Sequence, residues 1–154
     1  MIKKEQVYWD SSVFLGWFLN ENDRVEKCKA GIELAQKEKL IILTSAITLT
    51  EVIKIKGQKP LQSEQEEEIK KIFEYEYIKL INIDRYIAED ARHLIWTYPH
   101  LHPKDSIHLA SAIKEKIPVL NSFDDHFLKL NGKFQNIVIS QPNFPRQLIL
   151  NSQD

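Results

Sequence analysis

With 154 residues and 43% apolar side chains, the chain has the length of one domain and can bury one substantial core, while 28% charged residues set aside the disordered and fibrous classes. Lys and Arg number 21 against 22 Asp and Glu, so the diffuse positive field of a strongly basic nucleic-acid binder is missing, and any nucleic acid has to be held locally. The lone cysteine, Cys28, excludes an internal disulfide and a thiolate zinc site; no apolar run nears the ~20 residues that span a bilayer, and the opening Met1-Ile2-Lys3-Lys4-Glu5 is unlike a secretory leader, so the expected setting is the cytoplasm with no membrane association.

Gln6 to Trp9 favours a short strand ending at Asp10, and Ser11 or Ser12 can cap a helix through Val13, Phe14, Trp17 and Phe18. Asn22 to Lys39 continues as helix, with Val25, Cys28, Ile32 and Leu34 or Ala35 on one face. Leu40 to Leu43 reads as a strand buried on both sides, after which Ser45 caps a helix from Ala46 to about Lys56, stopped by Gly57 and Pro60 and carrying Glu51 in its middle. Residues 63 to 76 form an acidic helix with Ile69, Ile72 and Phe73 as its apolar stripe; the Glu64 to Glu68 run is a solvated face, and Tyr77 to Ile83 is the next strand. Asp84 caps a helix ended by Pro99, and Pro103 opens another with Asp105 in its first turn. Val119-Leu120 is a short strand, Asp124 to Leu130 a short helix and Ile137 to Ile139 a last strand, with an irregular tail from about Gln141.

Strands that alternate with helices and carry continuous apolar runs point to an α/β chain: a three-layer α/β/α sandwich around a central, mostly parallel twisted sheet, in one domain. Neither an internal repeat nor a glycine-rich phosphate loop is present, and with four glycines in all, nucleotide-binding loops are set aside. In such sheets ligands collect beyond the carboxyl ends of the strands, where Asp10 and Asp124 both fall. Asp105 and Glu51 sit on helices that must pack on the same sheet.

Asp10-Ser11-Ser12-Val13-Phe14-Leu15, Ser45-Ala46-Ile47-Thr48-Leu49-Thr50-Glu51-Val52, Pro103-Lys104-Asp105-Ser106-Ile107-His108-Leu109-Ala110-Ser111-Ala112 and Asn121-Ser122-Phe123-Asp124-Asp125-His126-Phe127 resemble, in order and spacing, the four successive motifs of PIN-domain nucleases, including the VapC toxins. The likeness runs over about residues 6 to 140. It implies an Mg²⁺- or Mn²⁺-dependent endoribonuclease acting on RNA, the toxin of a toxin-antitoxin pair, with an antitoxin partner and a homodimeric state. Asp10, Glu51, Asp105 and Asp124 match the family's metal-binding acids, and Ser12 and Ser122 match its small polar residues beside them. Trp9 departs from the aliphatic residue expected before the first acid, and the Asp124-Asp125 pair leaves the fourth position open by one; Asp124 keeps the family's spacing to Phe127.

Phosphodiester cleavage concentrates negative charge on oxygen, and hard carboxylate ligands suit the divalent cations that neutralise it. Taken singly, each acid has a plainer reading: Asp10 and Asp124 as helix caps, Asp105 as a dipole partner, Glu51 as a solvated side chain. His100, His102 and His108 read as structural or surface residues, with a hydrogen bond to the acids as the alternative for His108; Lys104 and Arg92 are candidate phosphate contacts, and the Lys54, Lys56, Lys59 cluster is either an RNA-contacting patch or a partner of the helix-end dipole. Trp17 and Trp96 read as core or dimer packing, with Tyr98 open between packing and base stacking. The competing function is a non-catalytic PIN-like module that binds RNA or protein. A phosphatase with a nucleophilic aspartate is disfavoured because Ser11 and Ser12, not a second acid, follow Asp10.

Overall fold

The computed structural model describes residues 3–53 and 63–144. Among the described residues, five strands build one sheet: β1 (Glu5–Trp9), β2 (Leu40–Ser45), β3 (Ile78–Ile81), β4 (Val119–Asn121) and β5 (Val138–Ser140), in the order β3-β2-β1-β4-β5. Every pairing is parallel, which requires crossovers that lay helices on the sheet faces. The helices are α1 (Ser11–Phe18), α2 (Asn22–Gln36), α3 (Thr48–Glu51), α4 (Ser63–Ile72), α5 (Arg85–Thr97), α6 (Pro103–Lys114) and α7 (Asp125–Leu128).

Side chains alternate across a strand, so β1 feeds two cores. Val7 and Trp9 pack on one side with Val13 and Phe14 of α1, Cys28 and Ile32 of α2 and Ile69 of α4. Tyr8 packs on the other with Ile87 and Ala91 of α5, Leu109 of α6, Leu120 of β4 and Phe127 of α7. The three-layer α/β/α sandwich expected from the alternation is the architecture found. Strand order turns at β1: the chain steps outward through β2 and β3, then crosses back to β4 and β5. A crevice forms where that order reverses, beyond the carboxyl ends of β1 and β4. Trp9 pairs with Asn121, and the Asp10 N–H continues to the Asn121 carbonyl at 3.2 Å, which sets the Asp10 and Ser122 to Asp124 segments side by side.

Several boundaries correct the sequence reading. Asp10 itself caps α1, in place of Ser11 or Ser12, accepting from the backbone N–H groups of Ser12 and Val13. The second helix stops at Gln36 instead of Lys39, because Glu38 turns left-handed (φ 61°) and the Lys39 N–H folds back to the Leu34 carbonyl. That closure usually uses glycine, and α1 and α6 end the same way through Asn20 and Lys116, so no sequence signal marked it. Ser45 completes β2; α3 starts later, at Thr48, and Glu51 is its last residue, not its middle. The expected continuation to Lys56, its stop at Gly57 and Pro60, and the Lys54, Lys56, Lys59 cluster lie outside the described residues. Trp17 packs partly buried against the first core, whereas Trp96 is 74% exposed and is not a core residue. Among the described residues, no helix is long and apolar enough to cross a membrane.

Candidate active site

Asp10 is buried, yet both carboxylate oxygens are served by donors. Oδ1 accepts from the Ser12 N–H at 3.0 Å, the Val13 N–H at 3.3 Å and the Ser12 hydroxyl at 2.6 Å, and Oδ2 accepts from the Ser122 hydroxyl. The two serines also accept: Ser12 Oγ from the Phe123 N–H at 2.9 Å, Ser122 Oγ from the Asp124 N–H at 3.0 Å. Both strand-to-helix junctions are therefore tied to one carboxylate. Burial raises the Asp10 carboxyl above the ordinary range, against the nearby His108 ring and the donors from Ser12, Ser122 and Val13.

Glu51 enters from the other side of the crevice, at the end of α3. Its Oε1 lies 2.7 Å from His108 Nε2 on α6, His108 Nδ1 lies 2.6 Å from the Tyr8 hydroxyl, and that oxygen accepts the Ser45 N–H at 3.0 Å. Donor bookkeeping orients the chain: with the Ser45 N–H directed at the phenol oxygen, the phenol proton points to Nδ1, and the imidazole donates from Nε2 to Glu51. Burial keeps Tyr8 a neutral phenol by raising its pKa strongly. The Glu51 side chain is 13% exposed and His108 is 1% exposed, so this chain is shielded from competing water. No buried side-chain nitrogen or oxygen among the described residues lacks a partner.

Asp105 projects from the first turn of α6, whose first position is Pro103. Its carboxyl is pushed up to about 6, first by burial and then by the negative charges of Asp124 and Asp10, with His108 opposing and Glu51 adding. Asp124, Asp10 and Glu51, each from a different segment, thus all act electrostatically on the Asp105 carboxyl. Asp124 caps α7, accepting the His126 N–H at 2.9 Å, while Asp125 is exposed on that helix. The plain reading of Asp10 and Asp124 as helix caps is realised geometrically, and the burial of Asp10 sets it apart from an ordinary cap.

The donor set is entirely carboxylate oxygen, which fits a hard divalent cation such as Mg²⁺ or Mn²⁺, and Cys28 lies in the core, donating to the Val13 carbonyl. The Asp105 carboxyl is raised first by burial and then by neighbouring negative charge, and a cation would offset the second. Among the described residues, no three His, Cys, Asp or Glu side chains stand close enough to hold one ion as placed, so binding requires the carboxylates to draw inward.

Of the other candidates, His100, His102 and Lys104 are exposed beside Asp105, and Arg92 lies over the Trp96 ring, 5.6 Å from its centroid, on α5. Tyr8 was not singled out by the sequence reading. Its signal was a polar-tipped side chain in the interior of a buried strand two residues before Asp10. The bulky Trp9 is accommodated by Asn121, which accepts its indole N–H at 3.0 Å, and by Gly31, where a β-carbon would fall 2.8 Å from the indole.

The family model of the PIN domain matches residues 7–133, and the chain belongs to that family. Among solved structures it is similar to Mycobacterium tuberculosis VapC20, described as a sarcin-ricin loop cleaving toxin (TM-score 0.64, 15% identity, covering 86% of this chain and 98% of that one). It is also similar to a chain of a toxin-antitoxin complex from Klebsiella pneumoniae (0.60, 22%, 90% and 99%) and to one of VapBC2 from Rickettsia felis bound to a promoter DNA fragment (0.62, 14%, 90% and 99%). A comparison with curated protein sequences gave no match.

Proposed function

We propose that this chain is a metal-dependent endoribonuclease and the toxin of a toxin-antitoxin pair, with Asp10, Glu51, Asp105 and Asp124 holding one or two Mg²⁺ or Mn²⁺ ions. The observation that carries the reading is Asp10, buried at the carboxyl end of β1 and tied through Ser122 to the Asp124 segment, with the Asp105 carboxyl raised first by burial and then by the charges of Asp124 and Asp10. Members of the PIN family are generally nucleases, and fold similarity to solved toxin-antitoxin complexes supports an antitoxin partner. A cation bound there supplies charge neutralisation at the phosphodiester oxygens and a more acidic water. The protein's own part is positional: Ser12 and Ser122 fix the Asp10 carboxylate, and His108 holds one Glu51 oxygen. A homodimer and a cytoplasmic setting belong to the same proposal.

A non-catalytic binding module is the second reading, favoured by the absence of a preassembled three-ligand cluster among the described residues. One assay separates the two. Purified chain incubated with single-stranded RNA is expected to cleave it in Mn²⁺, to stop in EDTA, and to lose at least about a hundredfold in rate on Asp105→Asn. Cleavage that survives both EDTA and the substitution would overturn the assignment, and RNA binding without any cleavage would establish the module instead.

A further inference from the structure

Beside the acids lies a cleft of about 1000 Å³ between the α5–α6 connection and the stretch that follows α7, lined by Tyr98, His102, Asp105, His126, Lys129 and Lys133. We propose that it is a subsite for an unpaired ribonucleotide of the RNA strand whose neighbouring phosphodiester lies at the acids. The proposal rests on the nuclease reading for its substrate and adds where that substrate is gripped.

Charge is the first argument. The whole chain is balanced at −1, yet this cleft sets two lysines, Lys129 and Lys133, against a single carboxylate, Asp105. A second groove, near α3 and α4, is lined by Glu66 and Glu67 with Lys70 and would repel phosphate. Cationic groups therefore collect at the cleft that shares Asp105 with the candidate active site. Continuity is the second argument, because a strand crossing the acids leaves them past Asp105 into this space.

The third argument is an aromatic platform. Tyr98 is half-buried, its ring braced by Phe134 at 5.5 Å between centroids, and the Lys133 ammonium lies over it at 5.6 Å. A cation resting on an aromatic ring is held weakly at an exposed site, so an incoming base can take its place while the lysine swings to a phosphate. Buried Leu101 and Leu130 line the cleft with it, giving the mix of apolar wall and few polar groups that small-ligand sites share. Stacking of this kind needs an unpaired base, which selects single-stranded RNA over duplex.

The test uses the full chain and a fluorescein-labelled oligouridylate, with binding read by anisotropy in EDTA so that it does not depend on cleavage. Tyr98→Ala is expected to weaken binding about fivefold or more, and Tyr98→Phe to retain it. Lys129→Ala and Lys133→Ala each weaken it and flatten the dependence of log affinity on log salt by about 0.7. In a parallel arm, the oligonucleotide should shield Lys129 and Lys133 from acetylation and leave Lys79, on the outer strand β3, unchanged. Wild-type binding by both lysine variants, equal competition by duplex RNA, or no binding by the wild type would overturn the proposal. So would shielding of these lysines by a bound polypeptide but not by the oligonucleotide, which would make the cleft a protein-docking surface. Mn²⁺-dependent cleavage with unaltered KM in the lysine variants would remove this subsite and leave the nuclease standing; variant-sensitive binding without cleavage would do the reverse.

Discussion

His108 Nε2 stands 2.7 Å from Glu51 Oε1, joining α6 to the end of α3 across the crevice that holds Asp10 and Asp105. On its far side the same ring meets the Tyr8 hydroxyl, which takes the Ser45 N–H. One phenol thus completes a buried polar chain running from the backbone of β2 to a candidate metal ligand.

Tyr8→Phe removes that hydroxyl and leaves the Ser45 N–H and His108 Nδ1 buried without partners. The expected loss is about 1–3 kcal/mol in urea unfolding, the range for stranding a buried polar group. A change within error would mean that water or another side chain replaces the phenol, and that Tyr8 does not orient the His108–Glu51 pair.

Ser122→Ala strips one donor from Asp10 and the acceptor from the Asp124 N–H at once. Partners that orient metal ligands typically matter by 10–100-fold in affinity. Isothermal titration with Mn²⁺ should show a loss on the order of tenfold or more, alongside a lower melting temperature from the hydrogen bonds lost at the buried Asp10. Unchanged Mn²⁺ affinity would separate Asp10 from any ion.

Asp105 gives a pH prediction for the chelated protein. Its folded pKa, about 6, lies above its ordinary 3.8, so between those values the folded state keeps a proton that the unfolded state releases. This group's contribution to stability is therefore present below about pH 4, declines as pH rises to about 6, and is flat above. Asp105→Asn should raise the melting temperature at pH 8 in EDTA and flatten the pH dependence between 4 and 6. A wild type with no decline across that window would contradict the crowding of charge around Asp105.

Much of the architecture was legible because parallel strands buried on both faces must be nearly all apolar, as Leu40 to Leu43 are. Asp10, Asp105 and Asp124 were placed by the strand and helix starts they adjoin. Helix ends were not legible where Asn20, Glu38 and Lys116 take left-handed geometry without glycine. The Ser45 turn was misread because its side chain does serve a backbone N–H, that of Ile47 at 3.2 Å, as a cap would, although the helix starts later. The Tyr8–His108 and His108–Glu51 contacts join residues 100 and 57 positions apart in sequence, and no local pattern carries such a contact. For Trp96, spacing on a helix cannot say which face is left uncovered, so core packing could not be told from packing in a dimer.

Gly31 shows how a single small residue admits the unusual Trp9. A β-carbon there would sit 2.7 Å from the Phe144 ring and 2.8 Å from the Trp9 indole. In an open helix, Gly→Ala gains about 1 kcal/mol; here overpacking of about 1–3 kcal/mol opposes it. Gly31→Ala should lower the melting temperature. Stabilisation by the single change would show that the ring contacts yield freely.

Whether Asp10, Glu51, Asp105 and Asp124 share an ion decides the proposed function most directly. Crystals soaked in Mn²⁺ and measured at the manganese absorption edge should show an anomalous peak among Asp10, Glu51, Asp105 and Asp124, with Asp105 and Glu51 drawn toward it. No peak in that pocket at saturating Mn²⁺, or a peak held by other residues, would contradict it.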